Sequence, residues 1–169
     1  AKYGLKPKIH INQFSTFGGV QMAVKNNALS IDHLEVMSDE DIESLKGSQT
    51  IPTLLPSCSF FLSIPYSPAR KLMDADLPVV FGTDYNPGST PSGNIPFLLS
   101  LACIKQKMTP NEAINAATLN AAAAVELENE LGSITKGKKA QFIITKPMEN
   151  LAYWMYSFGK GNQLIKEVV

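Results

Sequence analysis

The stretch "LPVVFGTDYNPGSTPSGN", Leu77 to Asn94, decides how the chain is read. Its apolar start shows no alternation with polar residues, the pattern of a strand buried on both faces. It then meets an acid, Asp84, and breaks into Asn, Pro, Gly, Ser and Thr. Parallel α/β folds carry their active sites at the C-terminal ends of strands. An acid at that position is therefore a candidate for proton transfer or metal binding.

Upstream of this stretch the same grammar repeats. "PKIHI" (Pro7 to Ile11), "ALSIDHL" (Ala28 to Leu34) and "TIPTLL" (Thr50 to Leu55) are predicted strands. "VQMAVKNNA" places Val20, Ala23 and Val24 on one helical face, and "SDEDIESLKG" carries Ser38 and Asp41 in capping-box spacing with Gly47 as its stop. "PSCSFF" reads as a loop, and "SPARKLMDAD" as a helix with Ser67 as cap and Pro68 at its first position. Downstream come two further helices, "IPFLLSLACIKQK" and "TPNEAINAATLNAAAAV", the second opened by Thr109, Pro110 and Glu112.

Four strand and helix units, apolar through each strand, predict an α/β fold with a parallel sheet covered on both faces. A closed eight-stranded barrel takes about 250 residues, so four units make half of one; a small open doubly wound sheet is the alternative. From Gly132 the pattern changes to short β-prone segments, "GSITKGKKAQFIITK" and "QLIKEVV", around a Lys-Gly turn. A boundary near Leu131 is expected, giving an α/β unit over 1–131 and a β-rich tail over 132–169.

The 15 basic and 15 acidic side chains cancel, which argues against nucleic acid and against a charged membrane surface as partners. No run approaches the roughly 18 to 20 apolar residues of a membrane span. Cys58 and Cys103 lie in or beside apolar segments and read as reduced core thiols, which points to the cytoplasm. The start lacks Met and enters a strand almost at once, so the chain reads as a piece of something longer.

His10 and His33 each fall near the C-terminal end of a predicted strand, and Asp84 closes the fourth. Singly they have ordinary readings: a hydrogen-bonded core histidine, or an aspartate making a side-chain turn. Together they would bring three metal-binding or proton-transferring groups to one rim. Gln13 could face the same cleft or simply be solvated. "GSTPSGN" could offer backbone N–H groups to an anion or be plain loop. The run Ala121 to Ala124 suits tight helix packing.

The order His, His, Asp over successive strands resembles the second half of the amidohydrolase superfamily barrel, whose fifth, sixth and eighth strands supply these residues. "IHINQF", "GGVQMAVKNNALSIDHLE", "GTDYNPGSTPSGN" and "GSITKGKKAQFII" are similar, more narrowly, to the imidazolonepropionase family. The resemblance implies the C-terminal half of a (β/α)8 barrel, strands 5 to 8, followed by strands of a small composite β-sandwich. It also implies metal-dependent hydrolysis of 4-imidazolone-5-propanoate to N-formimidoyl-L-glutamate in histidine degradation, in a cytoplasmic homodimer.

By the matching motifs, His10 and Asp84 would ligate one Zn or Fe ion. Asp84 would also take the proton of the attacking water, and His33 would polarise the ring carbonyl or relay protons. Gln13, Asn86, Gly88 and Ser89 would hold substrate. The family also needs a His-x-His pair, an Arg, a Tyr and a further His from its first half; this chain has only two histidines, and its Arg70 lies in a predicted helix. The chain alone is therefore expected to be inactive. Another hydrolase or deaminase of the superfamily, and a noncatalytic half-barrel serving folding or oligomerisation, are the rival readings.

Overall fold

Successive strands of the chain are also successive neighbours in space. A computed structural model describes residues 3–160 and the backbone of 164–168. Its main sheet contains β1 (Lys8–Ile11), β2 (Ser30–His33), β3 (Ile51–Leu54) and β4 (Val80–Phe81), in the order β1-β2-β3-β4 and all parallel. A doubly wound sheet reverses its strand order at a switch point, and a segment of a barrel does not. The absence of a reversal fits the barrel expectation and not the open sheet. Register places His10 opposite Asp32, Ile11 opposite His33 and Leu54 opposite Phe81.

Helices follow the strands: α1 (Gly19–Lys25), α2 (Asp39–Leu45), α3 (Pro56–Leu62), α4 (Ala69–Asp74), α5 (Ile95–Gln106), α6 (Pro110–Ala117) and α7 (Leu119–Ala123). Both predicted capping boxes form. Ser38 accepts from the Asp41 N–H while Asp41 accepts from the Ser38 N–H, and Thr109 and Glu112 do the same. Asp41 is almost wholly buried, and its carboxylate also accepts from Asn12 at 3.2 Å and Gln21 at 3.0 Å. A buried charge is tolerated when hydrogen bonds replace its water, and here they tie the β1 exit loop and α1 to α2.

Several expectations need correction. "PSCSFF" is helix α3, not loop: Pro56 sits at a first-turn position where its missing N–H costs nothing, and residues Pro56 to Ser59 are buried. Ser67 does not cap α4; its hydroxyl donates instead to the His33 carbonyl at 2.6 Å, and Pro68 is the cap residue. The long Ala-rich helix breaks at Thr118 (φ −127°, ψ −81°), whose hydroxyl donates back to Ile114 O at 2.7 Å, a bond that competes with the helical ladder. The fourth strand is only Val80–Phe81, so Asp84 lies in the loop beyond it. Pro78 cannot donate to a ladder at the strand's start. At its end Gly82 N–H bonds Leu54 O at 3.1 Å, and a Cβ on Gly82 would sit 2.9 Å from a Leu55 methyl carbon.

The core lies between sheet and helices and includes Ile31, Leu34, Leu54, Leu72, Val79 and Leu98, all nearly solvent-free. Each such side chain contributes roughly 1.5–3 kcal/mol of burial. Ala113, Ala116, Ala122 and Ala124 are also buried, in keeping with tight helix packing, and Asn120 donates to Val79 O at 2.9 Å to hold α7 against β4.

Beyond Leu131, β5 (Phe142–Thr145) pairs antiparallel with β6 (Leu164–Val168) as a separate two-stranded sheet. Gln163 and Val169, the ends of the predicted last segment, lie outside the described residues, as do Ala1 and Lys2. "GSIT" is not a strand, so the Gly137 turn does not join two paired strands. An unpredicted helix, α8 (Leu151–Tyr156), returns to the α/β body. Met155 enters the core, and its carbonyl accepts from the Ser100 hydroxyl at 2.5 Å. Phe97 stacks edge-on with Phe60 and with Phe158, at 5.2 and 5.1 Å.

Candidate functional site

The site is built where β1 and β2 end. Side chains alternate between the two faces of a strand, so His10 and its register partner Asp32 share one face, with His10 Nε2 3.6 Å from Asp32 Oδ2. His33 follows Asp32 and should point the other way. It does not remain there: His33 and Leu34 have φ of +86° and +66°, and the His33 ring lies 5.1 Å from that of His10. Left-handed backbone at two non-glycine residues costs energy and persists only where surroundings impose it. Ser67 holds the His33 carbonyl, Leu34 N–H bonds Ile11 O at 3.3 Å, and Leu34 is fully buried.

Behind His33 lies a polar group that sequence reasoning did not assign. His33 Nδ1 is 3.5 Å from Glu35 Oε1, and Glu35 accepts from the Ser59 hydroxyl at 3.1 Å. Cys58, one residue earlier on α3, accepts from Gln13 Nε2 at 3.6 Å. Burial pushes the Cys58 thiol up to about 11; the Ser89 hydroxyl pulls against that shift, and Asp84 and Glu35 add to it. Cys58 thus links the group around His33 to the loop after β4.

In that loop Asp84 is half-buried with φ +52°. Its Oδ2 accepts from the Ser89 hydroxyl at 3.1 Å. Asn86 shapes the turn: Oδ1 accepts from the N–H groups of Gly88 and Ser89, both at 2.8 Å, and Nδ2 donates to Asp84 O and Ser89 Oγ. The N–H groups that the sequence offers to an anion are therefore occupied by Asn86 in this conformation.

His10, Gln13 and His33 line one open cleft of about 320 Å³, together with Asn12, Phe14 and Phe17. Phe14 and Phe17 are 69% and 90% exposed, so its outer wall is apolar and solvent-facing. Asp84, Asn86, Gly88 and Ser89 form the second group, joined to the first through Cys58. An imidazole and a carboxylate at this rim are donor types suited to a divalent metal ion, but catalytic zinc takes three protein ligands. Among the described residues the group of three or more ligating side chains whose atoms converge is His33, Glu35 and Cys58; His10 and Asp84 are not in it.

Comparison with known proteins identifies the family. The profile of the amidohydrolase family matches residues 18–165. The chain belongs to the amidohydrolase family. It is 63% identical over 161 residues to an imidazolonepropionase of Christiangramia forsetii, covering 95% of this chain and 39% of that protein. To an imidazolonepropionase of Flavobacterium johnsoniae it is 60% identical over 167 residues, covering 99% and 40%. The chain thus spans about two-fifths of the curated relatives it matches. Among solved structures, a zinc complex of atrazine chlorohydrolase from Arthrobacter aurescens superimposes with a TM-score of 0.83 at 18% identity, over 99% of this chain and 43% of that one. A zinc-bound adenosine deaminase from Xanthomonas campestris gives 0.78 at 21%, over 88% and 37%. These likenesses establish the amidohydrolase fold as α/β and TIM-barrel-like.

The residues missed by sequence reasoning are Asp32, Glu35, Cys58 and Ser59. The available signals were register, which pairs Asp32 with His10, and the family-like "DHLE" segment, which contains both Asp32 and Glu35.

Proposed function

We propose that this chain is the C-terminal part of an imidazolonepropionase, which hydrolyses 4-imidazolone-5-propanoate to N-formimidoyl-L-glutamate. The observation that carries the reading is the 63% identity to an imidazolonepropionase across 95% of the chain. In this reading β1 to β4 are strands 5 to 8 of the barrel. Residues 1–131 form half of the barrel, and the β5–β6 pair within 132–169 belongs to a small β-sandwich completed by the rest of the protein.

His10 and Asp84 hold one Zn or Fe ion together with ligands from outside this chain. When bound, the metal supplies the Lewis acidity that makes water a nucleophile near neutral pH. Asp84 takes the proton that the water loses as oxygen adds to the ring carbonyl carbon. The Ser89 hydroxyl donates to Oδ2 at 3.1 Å and orients the carboxylate. Nδ1 of His33 faces the Glu35 carboxylate, which favours the doubly protonated ring, and that ring donates from Nε2 toward the carbonyl oxygen. Cleavage of the adjacent C–N bond then requires a proton on nitrogen, which the same relay returns.

Gln13, Asn86, Gly88 and Ser89 hold the substrate's propanoate end or the product. The N–H groups of Gly88 and Ser89 serve an anion once the Asn86 carbonyl turns away from them. Cytoplasmic residence and a homodimer of the full-length protein belong to the same proposal; the two free thiols support the first.

The test is turnover by the full-length, metal-loaded protein. Loss of the substrate's ultraviolet absorbance with N-formimidoyl-L-glutamate found by mass spectrometry is expected, and no turnover by the isolated 169-residue chain. Failure of the full-length protein to form that product, or turnover by the isolated chain, contradicts the reading.

A further inference from the structure

The structure assigns a second cation site, distinct from the proposed His10 and Asp84 pair, to His33 Nδ1, the Glu35 carboxylate and Cys58 Sγ, with a borderline divalent ion such as Zn²⁺ as its ligand. The three donor atoms lie within 4.8 Å of one another and all three residues are buried. Donors around a tetrahedral zinc stand roughly 3.3–3.8 Å apart, given bond lengths of about 2.0–2.3 Å. The Nδ1 to Oε1 distance of 3.5 Å already meets that spacing. The sulfur, on α3, lies within 4.8 Å of both other donors.

An independent observation points to a missing partner. His33 Nδ1 and Glu35 Oε2 are buried polar atoms with no hydrogen-bond partner, on side chains 7% and 0% exposed. Such atoms are uncommon in a folded interior, because a buried polar atom without a partner has lost its water for nothing. A cation held by Nδ1 and the Glu35 carboxylate would give both side chains the partner they lack. The surroundings suit ligation. The Ser59 hydroxyl donates to Oε1 at 3.1 Å and orients the carboxylate, as partners of metal-binding carboxylates do. Gln13 Nε2 points at the sulfur from the cleft side. Thiolate, imidazole and carboxylate together favour zinc over magnesium or calcium, which prefer oxygen donors alone.

Ligation through Nδ1 would fix the ring proton on Nε2, the nitrogen that faces away from Glu35. The site therefore touches the proposed catalysis without depending on it. It would exist even if the substrate were another cyclic amide.

Cobalt(II) titration of the metal-free full-length protein tests the site by spectroscopy, separately from any activity. A thiolate-to-cobalt charge-transfer band is expected in the wild type and in Asp84→Asn, and its loss in Cys58→Ala. Ser59→Ala, which removes only the hydroxyl orienting Glu35, should weaken cobalt affinity by about 10-fold or more. Zinc X-ray absorption on the wild type, which needs no variant to fold, should show a sulfur neighbour at about 2.3 Å. A wild type without the band, a band unchanged in Cys58→Ala, or a zinc shell of nitrogen and oxygen alone would overturn the assignment.

Discussion

Nδ1 of His33 lies 3.5 Å from Oε1 of Glu35, with the two side chains 7% and 0% exposed. The residues are two apart and separated by Leu34, yet the left-handed backbone at His33 and Leu34 folds the chain so that acid and imidazole face each other. Glu35 thereby acts on His33 rather than on solvent. Replacing Glu35 with Gln keeps the shape and removes the charge. In the full-length protein this change is expected to lower kcat by about 10- to 100-fold with little change in KM, since the interaction is made with a relay group and not with substrate. Steady-state kinetics checks it; a rise in KM at constant kcat would place Glu35 in substrate binding instead.

The strained backbone at His33 depends on Ser67. Its hydroxyl donates to the His33 carbonyl from 34 residues away, and Ser67→Ala is expected to cost about 1 kcal/mol in urea unfolding. It should also broaden the NMR resonances of the His33 ring, because the carbonyl that fixes the turn is released. An unchanged urea midpoint would show that other contacts hold the turn.

The ion pair between α4 and α6 offers a test by pH. Arg70 holds Glu112 at 3.1 and 2.6 Å, and the Thr109 N–H adds a bond at 2.7 Å. The Arg70 guanidinium, chiefly, brings the Glu112 carboxyl down to about 2 from an ordinary 4.5. A carboxyl lowered on folding binds protons less readily in the native state. Its stabilisation is complete above about pH 4.5 and fades as pH falls through about 2. The stability gap between wild type and Glu112→Gln should therefore be constant near neutral pH and shrink on acidification. A gap that widened on acidification would mean that the sign is wrong.

Gly159 tests the docking of α8. It has φ +78°, and a Cβ there would lie 2.7 Å from Phe97 Cβ. Its carbonyl accepts from Asn94 Nδ2 at 3.0 Å, so the backbone cannot easily retreat. Gly159→Ala should lower stability by about 1–3 kcal/mol, combining positive φ with overpacking. Retention of wild-type stability would show that α8 is loosely held.

The sequence made some parts of this molecule legible and concealed others for identifiable reasons. His10 and His33 could be placed because apolar runs ended at them, and both capping boxes because the cap and its partner are three residues apart. Asp84 was assigned to a strand because the apolar run from Leu77 to Phe81 leads straight into it, but the paired strand is only Val80–Phe81, with Pro78 unable to donate at its start. Cys58 was read as a core thiol. Its burial was right; its neighbours Gln13, Glu35 and Ser89 come from three other segments, and no local pattern announces such a meeting. The serines of "PSCSFF" mimic a loop, yet Ser57 and Ser59 are buried in α3 and one of them serves Glu35. Thr118 broke a helix whose alanines all favour it, because its hydroxyl bonds the chain's own carbonyl.

The account rests most directly on Asp84. The decisive measurement is kcat for 4-imidazolone-5-propanoate in the full-length protein and in its Asp84→Asn variant, with folding confirmed by circular dichroism. Losing both a metal donor and a proton acceptor should reduce kcat by about 1,000-fold or more, above the roughly 100-fold minimum expected for loss of a general base alone. Turnover by Asp84→Asn within a few-fold of wild type would contradict it.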